Sequence, residues 1–223
     1  MSDIVNAFVL VFAALFPIVN PLGSAPIFLS LTDDCTPQER NRLARGVAIN
    51  GFCLLLGSLL FGSAILEFFG VTVPVVRVAG GLVLTSMGWK LLNEGSGPPE
   101  REAVHNEGRA PQSHDSFYPL TLPLTVGPGS ISVAITLGSH RTSGVPTQHT
   151  AVLAGAGIAG LVAIAATIYV CYRFAEPLAR FLGKVGINVL VRLSAFILMC
   201  IGIQIAWEGI SALIAGVSAG GSA

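Results

Sequence analysis

The chain has 223 residues, of which 52% are hydrophobic and 11% are charged, and its formal net charge is zero. Soluble domains carry about 25% charged residues, so a chain this apolar cannot cover its surface in water and indicates a protein of the lipid bilayer. The balanced charge gives no support to nucleic-acid binding. The cysteines lack the spacing of a metal site or a disulfide framework, so no metal and no cofactor are expected.

Six stretches with few or no charged residues predict an all-α, multi-pass membrane protein with six transmembrane helices. In chain order they are 4–32, 46–66, 71–92, 116–139, 149–172 and 187–207. The first is longer than the about 20 residues that a spanning helix needs, which favours a helix with a non-helical break.

A hydrophilic segment divides the chain into two halves. Residues 94–115 carry many charges, contain Gly97-Pro98-Pro99 and show no apolar periodicity, so a cytoplasmic linker is predicted there. It separates a first three-helix repeat, 1–93, from a second one, 116–223. Because three spans are an odd number, the second repeat enters the membrane from the opposite side, and the repeat is predicted to be inverted.

The lysines and arginines predict the orientation. Most of them lie in the loops after the first, third and fifth spans, as Arg40, Arg42, Arg101 and Arg180 do. Loops rich in these residues stay in the cytoplasm. Both termini are therefore expected on the extracytoplasmic side of the cell (inner) membrane.

Two spans share an unusual proline pattern. The three prolines of the first span recur in the fourth at one common offset, as Pro17, Pro21 and Pro26 and as Pro119, Pro123 and Pro128. Proline lacks an N–H and clashes with the carbonyl four residues earlier, and unsatisfied backbone groups are costly in lipid. Broken segments at corresponding positions of two halves are typical of the binding site of a secondary transporter.

The two breaks provide the candidate site. Pro26 and Pro128 are each expected in the first turn of a new helix, whose free amides carry about half a positive charge. Glycines next to them would let the backbone approach a ligand closely. The candidate substrate-binding residues are Asn20, Pro21, Gly23, Ser24, Pro26, Thr121, Thr125, Gly127, Pro128, Gly129 and Ser130.

No charged side chain lies in either break. Neutral dipoles of both signs suit a small, net-neutral solute. A zwitterionic amino acid with a small side chain is the natural candidate, with its carboxylate at the helix N-termini and its ammonium group at freed carbonyls. Hydroxyl groups in membrane helices also bond to their own backbone or to a neighbouring helix, so each serine and threonine can be a ligand or a structural group.

The motifs at the breaks are specific enough to indicate a family. Asn20-Pro21-Leu22-Gly23-x-x-Pro26, Pro123-Leu124-Thr125-x-Gly127-Pro128-Gly129 and Arg77-Val78-Ala79-Gly80-Gly81 resemble the signatures of the MarC family of six-span membrane proteins. The resemblance implies an inverted three-plus-three repeat with discontinuous first and fourth helices. It also implies transport of small neutral amino acids such as glycine and alanine, the activity of the SnatA-type members.

Other functions stay open. An exporter or channel for other small metabolites or drugs would also need a polar break, and a non-transporting scaffold or regulator would bind a partner through 94–115. The sequence has no His-Glu-x-x-His motif and no phosphate-binding glycine loop, so an enzyme is not expected.

The coupling ion of a transporter is not evident from the sequence. The breaks contain no carboxylate, and Glu67 and Glu208, at the outer ends of the second and sixth spans, are the candidate proton carriers. Sodium held by freed backbone carbonyls is the alternative.

Overall fold

The computed structural model describes residues 2–94, 115–139 and 147–220, and the regular elements in these ranges are helical. The helices are α1 (Ser2–Val19), α2 (Pro21–Leu31), α3 (Pro37–Phe68), α4 (Val73–Glu94), α5 (Pro128–Ser139), α6 (Thr147–Arg173) and α7 (Ala175–Gly220). A π-helical turn, Leu120–Thr125, precedes α5. Almost all of the predicted linker, residues 95–114, lies outside the described residues.

The all-α, multi-pass architecture is confirmed. In the described chain, α3, α4, α6 and α7 are each long and apolar enough to cross a membrane, and α1 with α2 forms a fifth span if the bent pair is counted as one. The two members of that pair meet at an angle of 40°. The predicted fourth span, 116–139, contains only the π-helical turn and the 12 residues of α5, so by length no single helix crosses there.

Helix α3 extends well before the predicted span. Thr36 caps its N-terminus in a capping box, since the Thr36 hydroxyl accepts from the Glu39 amide at 3.3 Å and the Thr36 amide donates to the Glu39 carboxylate at 2.8 Å. Pro37 then takes the first helical position, where its missing N–H is not needed. The polar turns up to Arg45 therefore continue the same helix beyond the apolar stretch.

Helix α7 is interrupted at Gly183, whose φ of 64° and ψ of 176° are not helical. A positive φ favours glycine. The long segment after this break begins close to the predicted start of the sixth span, residue 187.

Helices α4 and α7 run antiparallel and pack through glycine. Gly81 of α4 lies against the backbone at Ala206, and a Cβ added to it would be 2.4 Å from the Ala206 nitrogen. Two turns later, Gly88 lies against the backbone at Met199, so residue numbers rise along α4 as they fall along α7. Small residues let two membrane helices approach to backbone contact, and here that approach holds α4 against α7.

The remaining helices enclose one apolar core. Its fully buried members come from α1, α2, α3, α5, α6 and the residue Val126 before α5, and they include Leu15, Phe28, Leu55 and Leu161. Helix α2 packs against α6 and α7, whereas α5 packs against α3 and α4. Large apolar side chains such as Phe61 stay exposed on the outside, as expected for a surface in contact with lipid.

We predict that Gly81→Ala lowers the thermal unfolding midpoint of the purified protein, because overpacking at a backbone contact costs about 1–3 kcal/mol. The matched control is Gly57→Ala on α3, where an added Cβ meets open space. It should leave the midpoint unchanged or raise it, since alanine favours a helix over glycine by about 1 kcal/mol. Equal midpoints for the two variants would contradict the tight α4–α7 contact.

Candidate functional site

The first break is a single residue wide. Asn20, between α1 and α2, adopts the left-handed conformation with φ 48° and ψ 54°, which asparagine tolerates better than most residues. Its amide still donates to the Phe16 carbonyl at 2.9 Å, and its carbonyl accepts from the Ser24 amide at 3.0 Å. Because Pro21 has no N–H, the Pro17 carbonyl loses its helical donor.

The N-terminus of α2 is capped by the side chain of Asn20. The Asn20 side-chain oxygen accepts from the Gly23 amide at 3.1 Å, the usual role of an N-cap asparagine. A Cβ on Gly23 would lie 2.4 Å from the Asn20 side chain. The small size of Gly23 therefore makes room for the Asn20 cap.

The matching prolines Pro26 and Pro128 take different positions in their helices. Pro128 opens α5 as expected. The expectation for Pro26 is wrong, because Pro21 takes the first position of α2 and Pro26 lies inside that helix. Asn20 explains the difference, since its left-handed conformation and its cap start α2 before Pro26 is reached.

The second break is wider than the first. Leu122, inside the π-helical turn, is extended with φ −106° and ψ 126°, and Val126 is extended with φ −119° and ψ 100°. The Val126 amide donates to the Thr121 carbonyl at 2.9 Å. The chain therefore leaves helical geometry twice between Leu122 and the start of α5.

The N-terminus of α5 is not capped as α2 is. Gly127, the residue before it, has no side chain, and Pro128 has no amide hydrogen. Among the hydrogen bonds of the described chain, the Gly127 carbonyl accepts from the Ile131 amide at 3.1 Å, and none serves the amides of Gly129 or Ser130. Both residues are buried, so the positive end of the α5 dipole stays available inside the protein.

Tyr172 joins the two breaks, and sequence reasoning did not select it. Its side chain is fully buried on α6, its hydroxyl lies 2.6 Å from the Thr125 hydroxyl, and the Ser24 side chain lies beside the same group. Its ring stacks on Phe28 of α2 with the centroids 4.4 Å apart. The only local signal was a tyrosine at the end of an apolar run. Such a tyrosine is informative because its hydroxyl needs a hydrogen-bond partner once it is buried.

The hydroxyl protons of the second break have defined acceptors. Thr121 donates to the Ser116 carbonyl at 2.6 Å, Thr125 to the Leu120 carbonyl at 2.7 Å and Ser130 to the Gly127 carbonyl at 2.9 Å. Of the two roles open to these groups, the structural one is observed. A threonine has one hydroxyl proton, so the proton of the Tyr172–Thr125 bond belongs to Tyr172.

An ion pair between α3 and α7 lies next to the C-terminal end of α2. Arg40 on α3 donates to the Glu176 carboxylate on α7 at 3.1 Å and to the Thr32 carbonyl at 3.0 Å. The Arg40 side chain is only 13% exposed. The cation thus complements the C-terminal dipole of α2 and ties that helix end to both α3 and α7.

No carboxylate or cation takes part in the break contacts described above. The nearest arginine contact at α5 comes from α4, where Arg77 donates to the Thr136 hydroxyl at 3.4 Å. Within the described ranges, no group of three or more metal-ligating side chains is present. The polar groups that the breaks offer are therefore the uncharged amides, carbonyls and hydroxyl oxygens.

Comparisons with known proteins place the chain in a family. The model of the family described as "MarC family integral membrane protein" matches residues 5–214. The inner membrane protein MarC of Escherichia coli is 31% identical over 219 residues, covering 96% of this chain and 98% of that protein. The proteins of the same name from Salmonella typhimurium and Citrobacter koseri are each 29% identical over 218 residues, with the same coverage. No solved structure matches the chain.

We predict that Tyr172 and Thr125 are energetically coupled. Tyr172→Phe and Thr125→Val should each lower the free energy of unfolding, and the double variant should lose less than the sum by about 0.5–3 kcal/mol. The control pair is Tyr169→Phe with Thr125→Val, because the Tyr169 hydroxyl bonds to Asn41 instead. Coupling as small in the test pair as in the control pair would contradict the role of Tyr172.

Gly127 and Gly129 should respond differently to alanine. A Cβ on Gly129 would lie 2.2 Å from the Leu84 side chain, whereas a Cβ on Gly127 meets its nearest neighbour at 3.5 Å, an ordinary contact. We expect Gly129→Ala to lower the free energy of unfolding by about 1–3 kcal/mol, the cost typical of overpacking, and therefore to lower the unfolding midpoint. Gly127→Ala should leave the midpoint nearly unchanged. The reverse order would show that α5 is placed differently.

Proposed function

The chain belongs to the MarC family of integral membrane proteins, and we propose that it is a secondary transporter of small neutral amino acids, such as glycine and alanine, working by alternating access. The observation that carries the proposal is that Tyr172 contacts the elements at both proline breaks. Its ring stacks on Phe28 of α2, the helix that follows the first break, with the centroids 4.4 Å apart, and its hydroxyl lies 2.6 Å from the Thr125 hydroxyl in the second break. Irregular backbone at membrane depth is tolerated where it surrounds a site.

The helix packing supports an inverted repeat of two three-span halves. Exchanging α2 with α5, α3 with α6 and α4 with α7 maps the pair α2–α6 onto α5–α3 and the pair α2–α7 onto α5–α4, and all four pairs pack. Helices α4 and α7, which exchange with each other, run antiparallel. A pseudo-two-fold axis in the membrane plane has both properties.

The polar groups at the breaks suit a zwitterion. The amides of Gly129 and Ser130 at the start of α5 offer donors for a carboxylate. Pro21 and Pro26 withhold an N–H from the carbonyls of Pro17 and Leu22, which leaves acceptors for an ammonium group. Because α2 is capped by Asn20, the carboxylate is expected at α5, and binding at α2 would require Asn20 to release the Gly23 amide.

Alternating access requires contacts that open on one side. The Arg40–Glu176 ion pair and the stacking of Tyr172 on Phe28 connect elements of the two proposed repeats. We assign this face to the cytoplasm, because it carries Arg40, Arg173 and Arg180. The structure then corresponds to a state closed on the cytoplasmic side, with both termini extracytoplasmic in the inner membrane.

The driving ion is either sodium or the proton. Sodium fits the freed carbonyls at the first break, which need no carboxylate partner. The candidate proton carriers Glu67 and Glu208 are exposed and lie at the end of α3 and within α7, away from the contacts of Tyr172. The proposal therefore favours sodium.

Uptake of labelled glycine or alanine into proteoliposomes tests the function. We predict faster uptake than in protein-free liposomes when an inward sodium gradient is imposed, and a smaller response to a proton gradient alone. Uptake equal to that of protein-free liposomes across a panel of neutral amino acids would overturn the proposal. Large single-channel currents would instead favour a channel, and the absence of thermal stabilisation by any solute would favour a scaffold.

Gly127→Val should abolish this uptake. Its Cβ is accommodated, but the two added methyl groups enter the break beside the α5 amides. Gly57→Val, on α3 where an added Cβ meets open space, is the matched control and should retain uptake. Folding of both variants is checked by thermal unfolding, and normal transport in a folded Gly127→Val variant would move the site away from the second break.

A further inference from the structure

An open groove lies between α3 and α6, away from the two breaks. Its volume is about 560 Å³. The walls are apolar side chains of both helices, namely Ala48, Ile49, Phe52, Val162, Ala165 and Ala166. The small alanines of α6 create the depression, and the larger side chains of α3 and Val162 flank it.

One end of the groove is cationic. Arg45 and Tyr169 line this end, and Arg45 is the last charged residue before the apolar stretch of α3. Arg173, one turn beyond Tyr169, donates to the Tyr169 hydroxyl at 3.0 Å and to the Asn41 side chain at 2.8 Å. Two guanidinium groups therefore flank one tyrosine where both helices pass from apolar to charged sequence.

The hydrogen-bond donors of the Arg45 guanidinium group are available to a ligand. Its side chain is exposed, and no hydrogen bond or ion pair joins it to another residue of the described chain. Arg173 uses one terminal nitrogen for both of its contacts, which leaves the other guanidinium donors for a ligand. No carboxylate lines the groove to neutralise either cation.

We propose that this groove binds one anionic phospholipid of the bilayer. The phosphate lies between Arg45 and Arg173, with the Tyr169 ring at the interface, and an acyl chain lies along the alanines of α6. The charge of the polar end selects an anionic headgroup. The apolar walls select a lipid over a soluble anion, because a soluble anion would leave them exposed.

Native mass spectrometry of the delipidated protein tests the proposal. The full chain in detergent is mixed with equal amounts of phosphatidylglycerol and phosphatidylcholine that carry the same acyl chains. We expect preferential retention of phosphatidylglycerol. Arg45→Gln should lower the affinity for phosphatidylglycerol about fivefold, the effect of one basic residue near an anionic lipid, and leave phosphatidylcholine retention unchanged.

Two matched controls separate the site from general charge and from unfolding. Arg42→Gln removes an exposed arginine of the same helix that does not line the groove, and it should leave the preference intact. Ala166→Trp fills the groove and should remove lipid retention, whereas Ala159→Trp, on the same helix outside the groove, should not. Unfolding midpoints establish that all four variants are folded.

Several results would overturn the proposal. Equal losses in Arg45→Gln and Arg42→Gln would indicate non-specific charge attraction. Equal competition by soluble glycerol phosphate would indicate an anion site without a lipid. Self-association of the unchanged protein that is lost in Ala166→Trp, with lipid retention unchanged, would assign the groove to a second copy of the chain.

Discussion

The structure depends on how backbone polar groups are satisfied where two apolar segments stop being helical. Lipid offers no hydrogen bonds, so each free amide or carbonyl must find a partner within the protein or face a polar ligand. At the first break Asn20 supplies the partner itself, by capping α2. At the second break the hydroxyls of Thr121 and Thr125 supply partners for backbone carbonyls, and the α5 amides are left over. The proposed site is therefore asymmetric, although the proline pattern that creates it is repeated.

Tyr172 connects the two breaks, each of which satisfies most of its backbone polar groups locally. It comes from α6, which belongs to neither break, and its hydroxyl donates to Thr125 while its ring stacks on Phe28. A rocking motion of one half against the other would have to separate the Tyr172 ring from Phe28 and Arg40 from Glu176. Tyr172 and Thr125 belong to the same half and would move together. The groove between α3 and α6 is lined by neither break, and because these two helices belong to opposite halves, a lipid bound there would contact both halves.

The sequence was sufficient for the features that follow from composition and local chemistry. The apolar stretches predicted the long helices, and the prolines predicted both interruptions. It was insufficient where a local cap or a distant contact decides. The start of α2 at Pro21 depends on the left-handed Asn20, and the extension of α3 depends on the cap at Thr36, which a search for apolar runs does not detect. The role of Tyr172 could not be predicted, because its partners are 47 residues away or more in the sequence and no local pattern indicates such a contact.

In the proposed mechanism, the two breaks form one substrate site that opens to one side of the membrane at a time. The most direct measurement is the labelling of Ser24→Cys, in a background without the four native cysteines, by a membrane-impermeant thiol reagent applied to either face of sealed vesicles. We expect glycine to slow the labelling and glutamate not to, and we expect a sodium gradient to change which face is reactive. Labelling that is indifferent to glycine, or equally fast from both faces at once, would contradict this mechanism.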